Sequence, residues 1–141
     1  MQSKQPFNKI IGHRGAAAYA PENTFAAFNK ALSLGCRYIE FDVMLSADGE
    51  PFVIHDTTLE RTTDGHGEVG LVKADYLDSL DAGSWFSKQF CGEKIPRLSA
   101  VIQWLSFSNM SANIEIKAAP GTVQQTTVAI LSSLNRYWPK E

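Results

Sequence analysis

The segment that most constrains this chain runs from Tyr38 to His55. From Tyr38 to Leu45 the residues alternate. Ile39, Phe41, Val43 and Leu45 share one face of an extended strand, and Glu40 and Asp42 share the other. Asp48-Gly49 reads as a two-residue hairpin turn, with Pro51 to His55 as the returning strand. Counting back from that turn sets Ala47 opposite Glu50 and Asp42 opposite His55, and opposed residues project from one face. The hairpin therefore predicts that Glu40, Asp42 and His55 converge beside an apolar frame.

The flanking segments alternate strand and helix. Lys9 to Gly12 is an apolar strand that delivers His13-Arg14-Gly15 into a loop punctuated by Pro21. Asn23 or Thr24 caps a helix running to about Leu34, with Phe25, Phe28, Ala31 and Leu32 at helical spacing and Gly35 at a left-handed cap. The stretch from about 57 to 95 lacks periodicity and reads as an insertion or lid. It holds a surface loop at Asp64-Gly65-His66-Gly67, a short helix over 73–80, and packing anchors at Trp85, Phe86 and Phe90. After Pro96 the pattern predicts a helix over 99–107, a strand from Ala112 to Lys117, and a helix over 122–135 with an apolar stripe of Val123, Ile130, Leu131 and Leu134. Strands separated by helices imply parallel pairing in an α/β fold.

Composition excludes some classes of function. A net charge of −2 without a basic run argues against a nucleic-acid-binding face. The N-terminus is polar, and no run approaches the roughly 18 apolar residues of a membrane span. A cytoplasmic location without membrane insertion is the default expectation. Cys36 and Cys91 lack metal-ligand spacing and read as two buried free thiols.

Three strands carry ionisable groups near their C-terminal ends, where parallel α/β folds build sites: His13 and Arg14, then Glu40 and Asp42, then Glu115 and Lys117. His55 joins them through the hairpin. Three carboxylates in one crevice repel, and an all-oxygen set suits a hard cation, Mg²⁺ or Ca²⁺, held by Glu40, Asp42 and Glu115. That leaves His13 and His55 as a general acid and base, and Arg14 and Lys117 to bind an anionic group, most simply phosphate. Together these groups describe phosphodiester cleavage.

The ordered motifs His13-Arg14-Gly15, Pro21-Glu22-Asn23-Thr24, Glu40-Phe41-Asp42, His55-Asp56, Arg61-Thr62-Thr63, Leu80-Asp81-Ala82-Gly83-Ser84-Trp85, Ile95-Pro96 and Ile114-Glu115-Ile116-Lys117 resemble the glycerophosphodiester phosphodiesterases. The resemblance implies a TIM-type (β/α)₈ barrel, a divalent cation, and hydrolysis of glycerophosphodiesters to glycerol 3-phosphate and an alcohol. It implies His13 and His55 as catalytic residues, Glu40, Asp42 and Glu115 as metal ligands, and Arg14 and Lys117 as phosphate-binding cations. It also implies that the insertion after His55 helps select glycerol-containing substrates. From the residues themselves, Glu22 and Asn23 read as fixing the loop and starting the helix. Such a barrel takes about 250 residues. The 141 residues supply about three strand–helix units plus the insertion. The expectation is an N-terminal part of the domain, with an open strand edge that favours self-association. The alternatives are an inactive fragment of that enzyme and a phospholipase of the same superfamily acting on lipid head groups.

Overall fold

A computed structural model of the chain describes residues 10–139. The elements are β1 (Ile11–His13), α1 (Phe25–Ser33), β2 (Tyr38–Leu45), β3 (Pro51–Val53), α2 (Ala74–Ser79), α3 (Leu98–Ser108), β4 (Ser111–Ile116) and α4 (Val123–Tyr137). Lys9, the expected start of the first strand, lies outside the described residues.

Strand β2 organises the sheet. β1 runs parallel to its first half, with Ile11 opposite Tyr38 and His13 opposite Glu40. β4 runs parallel along it from Tyr38 to Val43, setting Glu115 opposite Asp42. β3 returns antiparallel, with Val43 opposite Val53 and Leu45 opposite Pro51. Val43 thus pairs with both Val53 and Ile116, and Tyr38 with both Ile11 and Ser111. A strand has two edges, so β1 and β3 share one edge of β2 and β4 takes the other.

The hairpin differs from the two-residue turn that Asp48-Gly49 suggests. Ser46 N–H donates to Glu50 O at 2.9 Å and Gly49 N–H to Ser46 O at 3.0 Å. The loop is therefore Ala47-Asp48-Gly49, with Gly49 in the left-handed region at φ +84°. Side chains close it: Ser46 Oγ donates to Asp48 Oδ1 at 2.6 Å and accepts from Glu50 N–H at 3.0 Å. The third loop residue moves the register by one. Ile54, not His55, meets Asp42, its N–H donating to Asp42 O at 3.1 Å. A one-residue slip exchanges faces, and β3 ends before His55 is reached.

Alternate residues of the hairpin feed two cores. Ile39, Phe41, Val43 and Val53 pack with Phe28 and Ala31 of α1, with Leu98, Val101, Ile102 and Leu105 of α3, and with Ile130 of α4. Met44, Phe52 and Ile54 point the other way and pack with Leu59, Val69, Ala74, Leu77, Leu80, Ala82 and Ile95. The segment after His55 is thus a folded subcore, irregular because two 3₁₀ turns (Val69–Leu71 and Lys88–Phe90) and α2 are all it has of repeating structure. Trp85, Phe86 and Phe90 stack edge to face within it, with ring centroids 5.7 and 5.6 Å apart.

At the start of α1 the cap is Thr24, whose Oγ1 accepts from Ala27 N–H at 3.3 Å. Gly35 takes the expected left-handed conformation beyond its end. The stripe expected on α4 is only half buried. Ile130 is enclosed and Leu134 packs at its margin, whereas Val123 and Leu131 are 60% and 58% exposed. The helix packs against α3 and β3, and Val123, Val128 and Leu131 remain more than half exposed. Both cysteines are free, but Cys36 is half-buried and Cys91 exposed, contrary to the expectation of two buried thiols. No helix among the described residues is long and apolar enough to cross a membrane.

Candidate active site

The site grows from β2. Glu40 and Asp42 are two residues apart and share a face, and the parallel register adds Glu115 opposite Asp42. One oxygen from each of the three carboxylates lies within 4.8 Å of the others. Their surroundings are unequal. Asp42 is 1% exposed and Glu115 is 51% exposed at the side chain. Burial, and then the charge of Asp42, push the Glu40 carboxyl above its usual range. The Lys117 ammonium, 2.7 Å away, holds Glu115 below it.

Cations and amides surround Asp42. Asn23 Nδ2 donates to its Oδ2 at 3.0 Å. Arg14 Nε lies 3.4 Å from Oδ2, and Lys117 Nζ 3.6 Å from Oδ1. Asp42 Oδ1, Arg14 Nε and Asn23 Oδ1 are buried with no hydrogen-bond partner. Buried polar atoms are nearly always satisfied, so these three open valences mark a place built to meet another group.

The loop after β1 positions Arg14 by its backbone. Arg14 adopts φ +54°, and its N–H donates to Glu40 Oε2 at 3.2 Å. Gly15 follows at φ +84°, where a Cβ would fall 2.7 Å from Ala27 C, so only glycine lets the loop pass α1 here. His13, the last residue of β1, sets Nε2 3.8 Å from Glu40 Oε2 and is otherwise largely exposed.

His55 reaches the site by a route other than the ladder. The chain leaves β3 at Val53, and His55 then lines an open cavity of about 720 Å³ together with Lys117. Its Nδ1 lies 2.7 Å from Asp56 Oδ1. Asp56 accepts two hydrogen bonds from Arg61, at 2.7 and 2.9 Å. Arg61 also donates twice to Glu22, at 2.9 and 2.7 Å, and Glu22 Oε1 accepts from Arg14 Nη1 at 3.0 Å. Arg61 holds Asp56 well below the usual carboxylate range, against the opposing effect of burial. Burial alone would push Glu22 up, but Arg61 and Arg14 outweigh it and bring the carboxyl down.

Of the seven residues singled out in the sequence, contacts join His13, Arg14, Glu40, Asp42, Glu115 and Lys117 around one crevice, and His55 lines the cavity that Lys117 also lines. The four polar residues that tie it together, Glu22, Asn23, Asp56 and Arg61, were not given site roles by sequence reasoning. The only available signal was that each falls inside a motif that also carries a site residue or follows it closely. His66 sits in an exposed loop, its Nδ1 3.9 Å from Glu60, apart from the crevice.

The profile of the glycerophosphoryl diester phosphodiesterase family matches residues 13–140, and the chain belongs to that family. A glycerophosphodiester phosphodiesterase of Caldanaerobacter subterraneus subsp. tengcongensis is 40% identical over 142 aligned residues, covering 91% of this chain and 58% of that protein. Among solved structures, a phosphodiesterase of Oleispira antarctica in complex with the product sn-glycerol-3-phosphate superposes with a TM-score of 0.89 at 40% identity, covering 93% of this chain and 53% of that one. A glycerophosphodiester phosphodiesterase of Agrobacterium tumefaciens superposes with a TM-score of 0.76 at 39% identity, covering 92% and 64%. The chain thus spans between about half and two thirds of the length of these relatives. Its partial parallel sheet is consistent with part of the TIM barrel of its structural neighbours.

Proposed function

We propose that this chain forms the N-terminal part of an enzyme that hydrolyses glycerophosphodiesters to glycerol 3-phosphate and an alcohol, using a divalent cation, Mg²⁺ or Ca²⁺. In this reading it contributes about three strand–helix units of a (β/α)₈ barrel and the insertion over about 57–95. One observation carries the proposal. Three carboxylates with oxygens within 4.8 Å of one another are flanked by two histidines, an arginine and a lysine. Support comes from the Oleispira antarctica relative, whose structure holds the product sn-glycerol-3-phosphate.

The residues fit a hard cation. Two carboxylates at about 4 Å repel by roughly 4 kcal/mol at an effective dielectric near 20. Arg14 and Lys117 offset only part of this. Asp42 Oδ1 is buried and lacks a hydrogen-bond partner, so an oxygen is left free to ligate. Glu40, Asp42 and Glu115 would hold the ion, which supplies Lewis-acid stabilisation of charge on phosphate oxygens when bound.

The remaining residues divide the work. Arg14 and Lys117 take the phosphate oxygens and neutralise their charge. Of His13 and His55, one removes the proton from the attacking oxygen and the other protonates the departing alcohol. Overall a P–O bond to the alcohol breaks, a P–O bond from water replaces it, and one water is consumed. The same reading expects self-association through the open edge of β4, which among the described residues pairs only with β2.

The test is release of glycerol 3-phosphate from glycerophosphocholine, measured with Mg²⁺ or Ca²⁺ and again after chelation. Activity should vanish with the chelator and return with the ion. His13→Ala and His55→Ala should each lower kcat by about 10²–10⁴-fold. Full activity in His13→Ala would overturn the acid–base assignment. Turnover indifferent to chelation would overturn the cation, and a full-length form that carries this chain and is inert with both ions would overturn the proposed reaction.

A further inference from the structure

We propose that Asp56 and Arg61 act as a positioning relay that locks His55 in one orientation and one tautomer, with the proton on Nδ1 and Nε2 left free for proton exchange. The inference rests on the reading of His55 as one of the two proton-transfer groups. It assigns a task to residues outside that set and gives the insertion, where Arg61 lies, a part in setting up the chemistry.

The geometry begins with Arg61. It makes four hydrogen bonds between 2.7 and 2.9 Å, two to Asp56 and two to Glu22. A guanidinium forked between two carboxylates is far more constrained than a single exposed ion pair, which contributes little. Glu22 is itself anchored by Arg14 at 3.0 Å. Arg61 is therefore fixed from the first loop, and Asp56 cannot swing away from His55 without breaking the fork.

The proton assignment follows from what each atom can do. Arg61 stabilises the ionised form of Asp56, and an ionised carboxylate only accepts hydrogen bonds. The contact of 2.7 Å between Asp56 Oδ1 and His55 Nδ1 therefore requires a proton on Nδ1. In a neutral imidazole the other nitrogen is then the acceptor. Nε2 is the atom left to take a proton from substrate or, once charged, to return it. A carboxylate behind a catalytic imidazole sets its tautomer in the same way in hydrolases of unrelated fold. Here the carboxylate is held in turn by an arginine from the insertion.

The chain has three histidines, so the imidazole nitrogens of a ¹⁵N-labelled sample can be assigned by substitution. In the neutral ring, His55 should show the Nδ1–H pattern, while His66, 86% exposed at its side chain, serves as the solvent-exposed reference. Asp56→Ala should shift His55 to the pattern of His66. Arg61→Ala should shift it in the same direction by less, and Arg61→Lys should fall between Arg61→Ala and the wild type. An unchanged His13 signal shows that the fold persists in these variants. An Nε2–H pattern for His55 in the wild type, or no change in Asp56→Ala, would overturn the relay. This readout needs no turnover, so it decides the relay even if the proposed activity fails. Where the activity holds, Asp56→Ala should lower kcat on the order of 10²-fold or more, with a smaller change in KM. The double variant Asp56→Ala/Arg61→Ala should lose little beyond Asp56→Ala alone, since Arg61 acts through Asp56. Full kcat in Asp56→Ala despite an altered tautomer would equally overturn the proposal.

Discussion

On the β3 side of β2, residues Leu59 to Ile95 fold into their own buried cluster and send Arg61 back to the crevice. On the β4 side, the sheet ends at an edge. Ile116 is partly exposed, and Val123, Val128 and Leu131 of α4 face outward. The site sits on the seam between these flanks, which explains its unequal carboxylates. Asp42 is enclosed by Asn23, Arg14 and Lys117, while its ladder partner Glu115 has Lys117 on one side and little else. One flank is already held in place by protein. The other presents site groups and apolar surface together.

That contrast can be broken by mutation. The largest effect is expected in the insertion's core. Leu77 is fully buried, and Leu77→Ala should cost about 2–5 kcal/mol by lost transfer energy plus the cavity left behind. Chemical denaturation of the purified chain measures it, and a cost below about 1 kcal/mol would mean that the insertion is not an integral core.

A smaller effect is expected at Asp81. Its carboxylate accepts from Gly83 N–H, Ser84 N–H, Ser84 Oγ–H and Gly92 N–H at 2.7–2.9 Å, closing the loop that carries Trp85. These bonds, led by that from Ser84 N–H, hold its carboxyl well below the usual aspartate value of 3.8. A carboxylate depressed in the folded state stabilises it above the unfolded pKa, and the contribution drains away as pH falls through the folded one. Stability should therefore be level above about pH 5 and decline below about pH 4. Asp81→Asn should flatten part of that decline and cost about 1–3 kcal/mol near neutrality. Thermal melts of both proteins across the acid range test this; parallel curves would refute the assignment.

The smallest effect should fall on the opposite flank. Leu131→Ala, at a side chain 58% exposed, should change stability by no more than about 0.5 kcal/mol. A cost approaching that of Leu77→Ala, or one that grows with protein concentration, would reveal that α4 is covered in solution.

Several features of the site were legible because they depend on neighbours in the chain. The alternation of β2 puts Glu40 and Asp42 on one face whatever surrounds them, and the strand–helix order implies parallel pairing, while the register that sets Glu115 opposite Asp42 belongs to the fold. His13-Arg14 at the end of an apolar strand was legible in the same way. The route of His55 was not. Asp-Gly suggests a two-residue turn, but hydrogen bonds of Ser46 and Asp48 lengthen it by one residue and turn His55 out of the ladder. The histidine still borders the crevice because the strand stops short and Asp56 and Arg61 take hold of it. The stripe on α4 misled for a related reason. Helical spacing says which residues share a face, and only the packing says whether that face is covered.

The sequence by itself determined which ionisable residues stand near the strand ends, the strand faces that carry the carboxylates, and membership of a family through its ordered motifs. Those depend on periodicity and local turn chemistry, which act over a few residues. The tertiary structure alone decided that Arg61, 39 positions from Glu22, joins His55 to Arg14, and that one flank of the sheet is enclosed while the other stays open. Both outcomes come from packing of segments remote in sequence, where burial and hydrogen-bond geometry choose among partners that local pattern cannot rank.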